Sequence, residues 1–355
     1  MTMSAAISKK LWFGHFYLGI AIALPLLIIA ASGIVLSFYD DLRYTAPPYR
    51  LASPVYRSLD ADTLAESVRH HYPRRRLEVL FLPTALEHSA RARLAGPEPL
   101  LVFVDPGTAA IMEVKDAADL DGLDWLRELH RGSVLGLPGK IAASLAGLGT
   151  LFLWVMGLWL WYRRSATAKR QRRRVKRFPG LVTIHRQTGM LLGGPIAVLA
   201  LLGALLNFAG PLMQWLDPPP AIVMPTSTQQ LTTLPLPRLV DAAVNGYRNS
   251  PLERIYFPAT ANQPWRFRFL DGSWGFVDGQ NGTLLKLKTP SSHWTMLLYP
   301  LHSGKLLGMS GHWLSVFFGL VLIFLVSSGL RHGLLIIKPR YHWGSQQQNT
   351  IRSDV

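Results

Sequence analysis

Leu129-His130-Arg131-Gly132 returns 172 positions later as Leu301-His302-Ser303-Gly304. The likeness runs on past the histidine. Gly132, Leu135, Gly136 and Gly139 recur as Gly304, Leu307, Gly308 and Gly311, and Gly147 and Gly157 recur as Gly319 and Gly329. Each copy leads into a long apolar run, so a histidine stands twice at the mouth of a candidate membrane span. A chain that repeats itself at this length is read first as a repeat.

Working outward, four apolar runs are long enough to cross a bilayer, which takes about 20 residues: Leu11–Phe38, Ile141–Tyr162, Ile184–Met213 and Trp313–Ile337. They predict an integral membrane protein. The chain has no cysteine, which excludes thiolate-held iron–sulfur clusters, covalent Cys-x-x-Cys-His haem attachment, disulfides and cysteine zinc sites. Any metal is left to histidine, carboxylate or a bound cofactor.

The net charge of +16 is concentrated beside the spans. Lys9-Lys10 precede the first, Arg163 to Arg177 lie between the second and third, and Arg331, Lys338 and Arg340 mark the end of the fourth. The positive-inside rule places all three groups, and with them both termini, in the cytoplasm. Between two spans such a basic run signals topology and lipid-headgroup contact rather than nucleic acid.

The first run is too long for the apolar core of a signal peptide, and it is itself repeated. His15, Gly19, Pro25, Gly33 and Phe38 match His185, Gly189, Pro195, Gly203 and Phe208 at an offset of 170. A cleaved leader has no reason to match a later span. Between spans, Asp62–Tyr72 has helical spacing, while Leu77–Leu82, Leu100–Val104 and Ile111–Val114 read as strands. Leu239, Tyr247, Pro258 and Phe276-Val277-Asp278 repeat Leu64, Tyr72, Pro83 and Phe103-Val104-Asp105.

The expected fold is therefore an α+β membrane protein with four transmembrane helices from an internal parallel duplication and two outside α+β units. Its parts are a span at 11–38, an outside unit at 40–128, a lead-in and span at 129–162, and a basic cytoplasmic loop at 163–180. The second half has a span at 184–213, an outside unit at 214–300, a lead-in and span at 301–337, and a tail at 338–355. A parallel repeat has its axis along the membrane normal, so equivalent residues sit at equal depth.

The repeat sorts the eleven histidines. His15 pairs with His185 and His130 with His302. His312 faces Lys140 and His332 faces Leu160, while His70, His71, His88, His293 and His342 lie in soluble segments or the tail and read as surface side chains. His15 and His185 each interrupt an apolar span, where a polar side chain needs a reason. Gly19, Gly33, Gly189 and Gly203 follow on the same helical faces. Such a glycine stripe admits something large and flat and serves close helix packing equally well; with the histidines beside it, it points to a cofactor. Two neutral imidazoles at one height make a bis-histidine site for b-type haem. One pair near each membrane face makes an electron path. Arg131, Lys305 and Arg186 are candidates for the propionates, with topology and headgroup contact as the alternative. An unbroken helix from Leu301 to Ile337 would be roughly 55 Å long at 1.5 Å per residue, so breaks are expected near Pro138-Gly139 and Gly311.

These features together resemble the PepSY-associated transmembrane family over nearly the whole chain: a span bearing His15-x-x-x-Gly19, an outside unit with a Val-Asp-x-x-Gly-Thr-like turn, and the Leu-His-x-Gly lead-in. The resemblance implies PepSY-like helix–strand units in the periplasm and His15, His130, His185 and His302 as axial ligands of two b haems. It also implies the activity of the inner-membrane ferric-siderophore reductases in that family.

The substrate would be a periplasmic ferric siderophore or other ferric chelate, and no residue needs to act as an acid–base catalyst. The electron donor must be external, a quinol or a cytoplasmic flavoprotein, because no nucleotide-binding glycine fingerprint sits between a strand and a helix. Trp265, Phe267, Trp274, Phe276 and Trp294 either line a substrate pocket or fill the core. Two other classes stand beside this reading. One is a redox-inactive binding or regulatory membrane protein, and the other a metal or proton transporter using histidine relays.

Overall fold

The computed structural model describes residues 3–168, 180–220, 233–260, 262–292 and 294–337. The basic run from Lys169 to Arg177, together with Lys338, Arg340, His293 and His342, lies outside them. From the N-terminus, α1 (Met3–Leu36) is followed by the short α2 (Tyr39–Arg43), then α3 (Ala61–His71) and strands β1 (Leu77–Phe81), β2 (Ala90–Leu94), β3 (Leu100–Val104) and β4 (Ile111–Asp116). α4 (Gly122–His130) and a 3-10 turn (Ser133–Leu135) lead into α5 (Gly136–Ala168). A closely matching order follows. α6 (Leu181–Leu206) and α7 (Ala209–Leu216) precede α8 (Leu236–Gly246) and strands β5 (Leu252–Tyr256), β6 (Trp265–Phe269), β7 (Trp274–Val277) and β8 (Leu284–Lys288). A 3-10 turn (Trp294–Leu297), α9 (Leu298–Ser303), a further 3-10 turn (Lys305–Leu307) and α10 (Gly308–Ile337) complete it.

Four helices are long and apolar enough to span a membrane, over Ile7–Leu36, Ser133–Arg163, Leu181–Leu206 and Lys305–Leu334. α1 packs against α5 and α10, and α6 closes the bundle against the same two helices. Leu24 and Leu191 remain 68% and 70% exposed on the bundle's outside. Leucines left that open suit a lipid surface rather than water. The protein is a multi-pass membrane protein.

Several boundaries differ from expectation. The first and third apolar runs end as helices at Leu36 and Leu206, not at Phe38 and Met213. Phe38 and Phe208 leave helical geometry at φ −109° and −117° and start the short helices α2 and α7. Apolar content alone cannot distinguish a continuing span from a short helix that turns away from it. The breaks before the second and fourth spans also lie earlier than expected, at Gly132–Gly136 and Gly304–Gly308. Pro138 is instead the third residue of α5, in the first turn, where a proline's missing N–H costs no helical bond.

Outside the bundle, the strands of both halves join one antiparallel sheet in the order β4-β3-β2-β1-β5-β6-β7-β8. β1 pairs directly with β5 at its centre, Leu80 opposite Ile255. One register row, Val102–Ala92–Leu80–Ile255–Phe267, is fully buried together with Leu64, Val68, Leu239 and Ala243 of α3 and α8. Full burial of a Leu, Ile or Phe side chain contributes about 1.5–3 kcal/mol, so this shared row holds the sheet's halves together.

The sheet's other face is turned to the chain leaving the spans. Tyr49, just past α2, packs edge-on against Phe103 at 5.1 Å. Asp217, just past α7, pairs with Lys286 and with Lys288 (2.6 Å) on β8. Trp265, Phe267 and Phe276 are buried and therefore core, Trp274 is partly exposed, and Trp294 stands 58% exposed.

Candidate functional site

Each Leu-His-x-Gly motif folds into a hook. The histidine sits at the end of a short helix, α4 or α9, and the glycine two residues on adopts φ +74° (Gly132) or +77° (Gly304). That left-handed conformation favours glycine. The 3-10 turn then brings the chain back over itself, so that a Cβ on Gly139 or Gly311 would collide with the carbonyl of Gly132 or Gly304. The hook holds each histidine at a fixed angle to the span that follows.

It also presses each ring against a neighbouring helix. A Cβ on Gly33 would lie 3.0 Å from His130 Cε1, and one on Gly203 2.8 Å from His302 Cε1. The span histidines repeat this, with Gly157 at 3.3 Å from His15 Cε1 and Gly329 at 3.2 Å from His185 Cε1. Half of the glycine stripe thus makes room for imidazoles rather than directly for a flat ligand. Gly19 and Gly189 face Leu153 and Leu325 instead, at 4.0 and 3.7 Å.

Each ring meets a backbone carbonyl four residues before its glycine. His130 Nδ1 is 3.0 Å from the Ile29 carbonyl oxygen and His302 Nδ1 2.9 Å from that of Leu199. Leu325 faces His185 and Leu153 faces His15 in the same way, though His15 Nδ1 stops short of hydrogen-bond geometry. A glycine at the fourth position leaves no Cβ to shield the carbonyl's second lone pair from the side. A carbonyl only accepts, so the bonded Nδ1 atoms carry the proton and Nε2 keeps a free lone pair. That is the tautomer of an Nε2 metal ligand, oriented by its other nitrogen.

His130 and His302 face each other, with ring centroids 6.1 Å apart and planes at 49°. Burial first, then the neighbouring His302, lowers His130 to about 4, and burial lowers His302 as well. Both are neutral at pH 7, as ligation requires. A metal between two imidazoles, about 2 Å from each nitrogen, separates their ring centres by roughly 6 Å. The observed separation fits. His15 and His332 both lie within electrostatic reach of His185. Among the described residues no cluster of three or more His, Cys, Asp or Glu is placed to hold a metal ion. Two imidazoles alone leave a metal's remaining positions to another ligand, and a planar macrocycle supplies four.

Of the propionate candidates, Arg131 lies 3.8 Å from Glu128, Lys305 pairs with Asp40, and Arg186 donates to the Val182 carbonyl at 3.3 Å. His312 sits 3.9 Å from Asp41 and edge-on to Phe38. Two serines also touch the set: Ser32 Oγ lies 3.0 Å from His130 Nδ1 and Ser328 Oγ 2.9 Å from His185 Nδ1. Neither serine is marked by the sequence repeat, because Leu202 stands at the position matching Ser32 and Met156 at the one matching Ser328.

A four-helix membrane bundle carrying one facing pair of neutral, carbonyl-tethered imidazoles, His130 and His302, and topped by an antiparallel sheet defines the class of protein. The family model described as the PepSY-associated TM region matches residues 12–332, and the chain belongs to that family. No curated protein matches it.

Proposed function

We propose that the protein is a di-haem b oxidoreductase of the bacterial inner membrane. It carries electrons from the cytoplasmic side to a ferric siderophore or other ferric chelate in the periplasm and so releases iron. In this reading the chain is an internal duplication, both termini are cytoplasmic and the sheet is two fused periplasmic PepSY-like units. His130 and His302 ligate the outer haem, and His15 and His185 the inner.

The observation that carries the proposal is the face-to-face pair His130 and His302, each with Nδ1 tied to a carbonyl. Haem supplies a one-electron couple when bound. The chain's own residues fix the imidazole tautomer, set the ring angle and keep the site among apolar helices. An external quinol or flavoprotein supplies the electrons. Reduction favours release because oxygen-rich chelators hold the harder ferric ion more tightly.

The purified protein is expected to show b-type bands after dithionite reduction, at two haems per chain. His130→Ala and His302→Ala are each expected to remove one haem's share of that signal. A wild-type spectrum without b bands would leave the redox-inactive membrane-binding reading in its place.

A further inference from the structure

We propose that Ser32 and Ser328 are positioning residues, each setting the redox potential of one haem through a single axial histidine. The proposal rests on the di-haem reading above and extends it to groups outside the ligand set.

Ser32 Oγ donates its proton to the Ile28 carbonyl at 2.6 Å. With that proton committed, its lone pair faces His130 Nδ1 at 3.0 Å, so Nδ1–H is the donor in this contact. The same Nδ1–H faces the Ile29 carbonyl at 3.0 Å, which gives His130 two acceptors. Ser328 reproduces the arrangement at the inner site. Its Oγ donates to the Phe324 carbonyl at 2.6 Å and lies 2.9 Å from His185 Nδ1.

The repeat makes these serines informative. The position matching Ser32 in the other half is Leu202, and the position matching Ser328 is Met156. Leucine has no acceptor and a thioether is a weak one. Accordingly His302 has the Leu199 carbonyl at 2.9 Å, and among the described residues His15 Nδ1 has no partner in bonding geometry. Each proposed haem therefore has one imidazole with a serine acceptor and one without. The serines are distributed one per site, on α1 for the outer and α10 for the inner.

An acceptor on Nδ1–H makes the imidazole a stronger electron donor through Nε2, which stabilises ferric over ferrous iron and lowers the potential. Oγ also restrains rotation of the ring about its Nε2 axis, and so the 49° between the His130 and His302 planes. Removing the hydroxyl weakens both effects at one site only.

The test is a spectroelectrochemical titration of the full-length, haem-loaded protein in detergent, with electron paramagnetic resonance of the oxidised form. Ser32→Ala is expected to raise the potential and shift the g-values of the outer haem alone, identified as the one lost in His130→Ala. Ser328→Ala is expected to do so for the inner haem alone. Ser32→Thr, which keeps Oγ, is expected to stay near wild type, and Leu202→Ser to lower the outer potential. Two haems bound with neither potential moved, or with both moved equally by Ser32→Ala, overturns the proposal and leaves the di-haem reading intact. So does Ser32→Thr matching Ser32→Ala, including the case where alanine releases the haem. A wild-type protein without b haem overturns the reading and this inference together.

Discussion

At the scale of single residues, the chemistry of the site depends on what is missing from four glycines. A Cβ on Gly203 would stand 2.8 Å from His302 Cε1, whereas one on Gly157 would stand 3.3 Å from His15 and one on Gly19 4.0 Å from Leu153. In a close-packed interior a contact below 3 Å forces a shift of the ring, which is seated by its carbonyl bond. On the proposed di-haem reading, Gly203→Ala is expected to distort or abolish the outer haem's optical signal, Gly157→Ala to perturb the inner one mildly, and Gly19→Ala to leave both unchanged. Spectra of the three variants at equal protein concentration decide this. The glycines' recurrence was legible in the sequence, but their task was not. Helical spacing tells which face a glycine occupies, not which side chain from another helix fills the space above it.

At the scale of elements, the five-residue α2 ties both hooks to the end of α1. Arg43, whose side chain is 5% exposed, pairs with Asp121 and with Asp124 (2.6 Å) at the start of α4. Tyr39 joins the same cluster, donating to Asp124 at 3.1 Å and accepting from Arg127 at 2.7 Å. Asp40 reaches the other way, to Lys305 beside His302. Burial opposes the Arg43 charge, but its bonds to Asp124, Tyr39 and Tyr49 outweigh that and hold it firmly protonated.

Breaking a buried pair by removing one partner costs about 3 kcal/mol, whereas an exposed pair contributes about 0–1 kcal/mol. Arg43→Leu is therefore expected to lower the thermal unfolding midpoint clearly and, on the proposed di-haem reading, to disturb the haem assigned to His130. Asp40→Asn, in a pair whose side chains are 55% and 39% exposed, is expected to change the midpoint little. Calorimetry with simultaneous haem absorbance checks both. None of this was readable beforehand, since the α2 stretch falls just past the expected span and its partners on α4 and beside His302 are far away in the sequence.

At the scale of the whole molecule, polar ties help join the membrane bundle to the sheet outside it. Asp217 is buried where the chain leaves α7. Burial raises its carboxyl, but the Lys286 and Lys288 ammoniums more than offset this and hold it below the usual range. A carboxylate whose folded pKa is depressed stabilises the fold above its unfolded value of about 3.9 and loses that contribution as pH falls through the folded value. Stability is expected to fall below about pH 4, and Asp217→Asn to be less stable at neutral pH and to lose that part of the acid dependence. Unfolding midpoints of wild type and variant across the acid range measure it. A variant that keeps the wild-type acid limb would place the titrating tie elsewhere.

The four spans and strands β1, β3 and β4 were legible because each is a local pattern: a long apolar run, or a short apolar one bounded by turns. β2 escaped, since its alternation runs through Ala90 and Ala92, small residues with low strand preference. In the fold Ala90 and Ala92 are buried, while the Arg91 guanidinium lies 4.8 Å over the Phe81 ring on the sheet's other face. The tertiary structure decided what depends on distant partners: β1 against β5 in one sheet, α2 between two hooks, a serine on one half's histidine with leucine or methionine opposite. The physical reason is the same in each case. Backbone periodicity is encoded within a few residues, but a hydrogen bond across about a hundred residues exists only once packing has brought its two ends together.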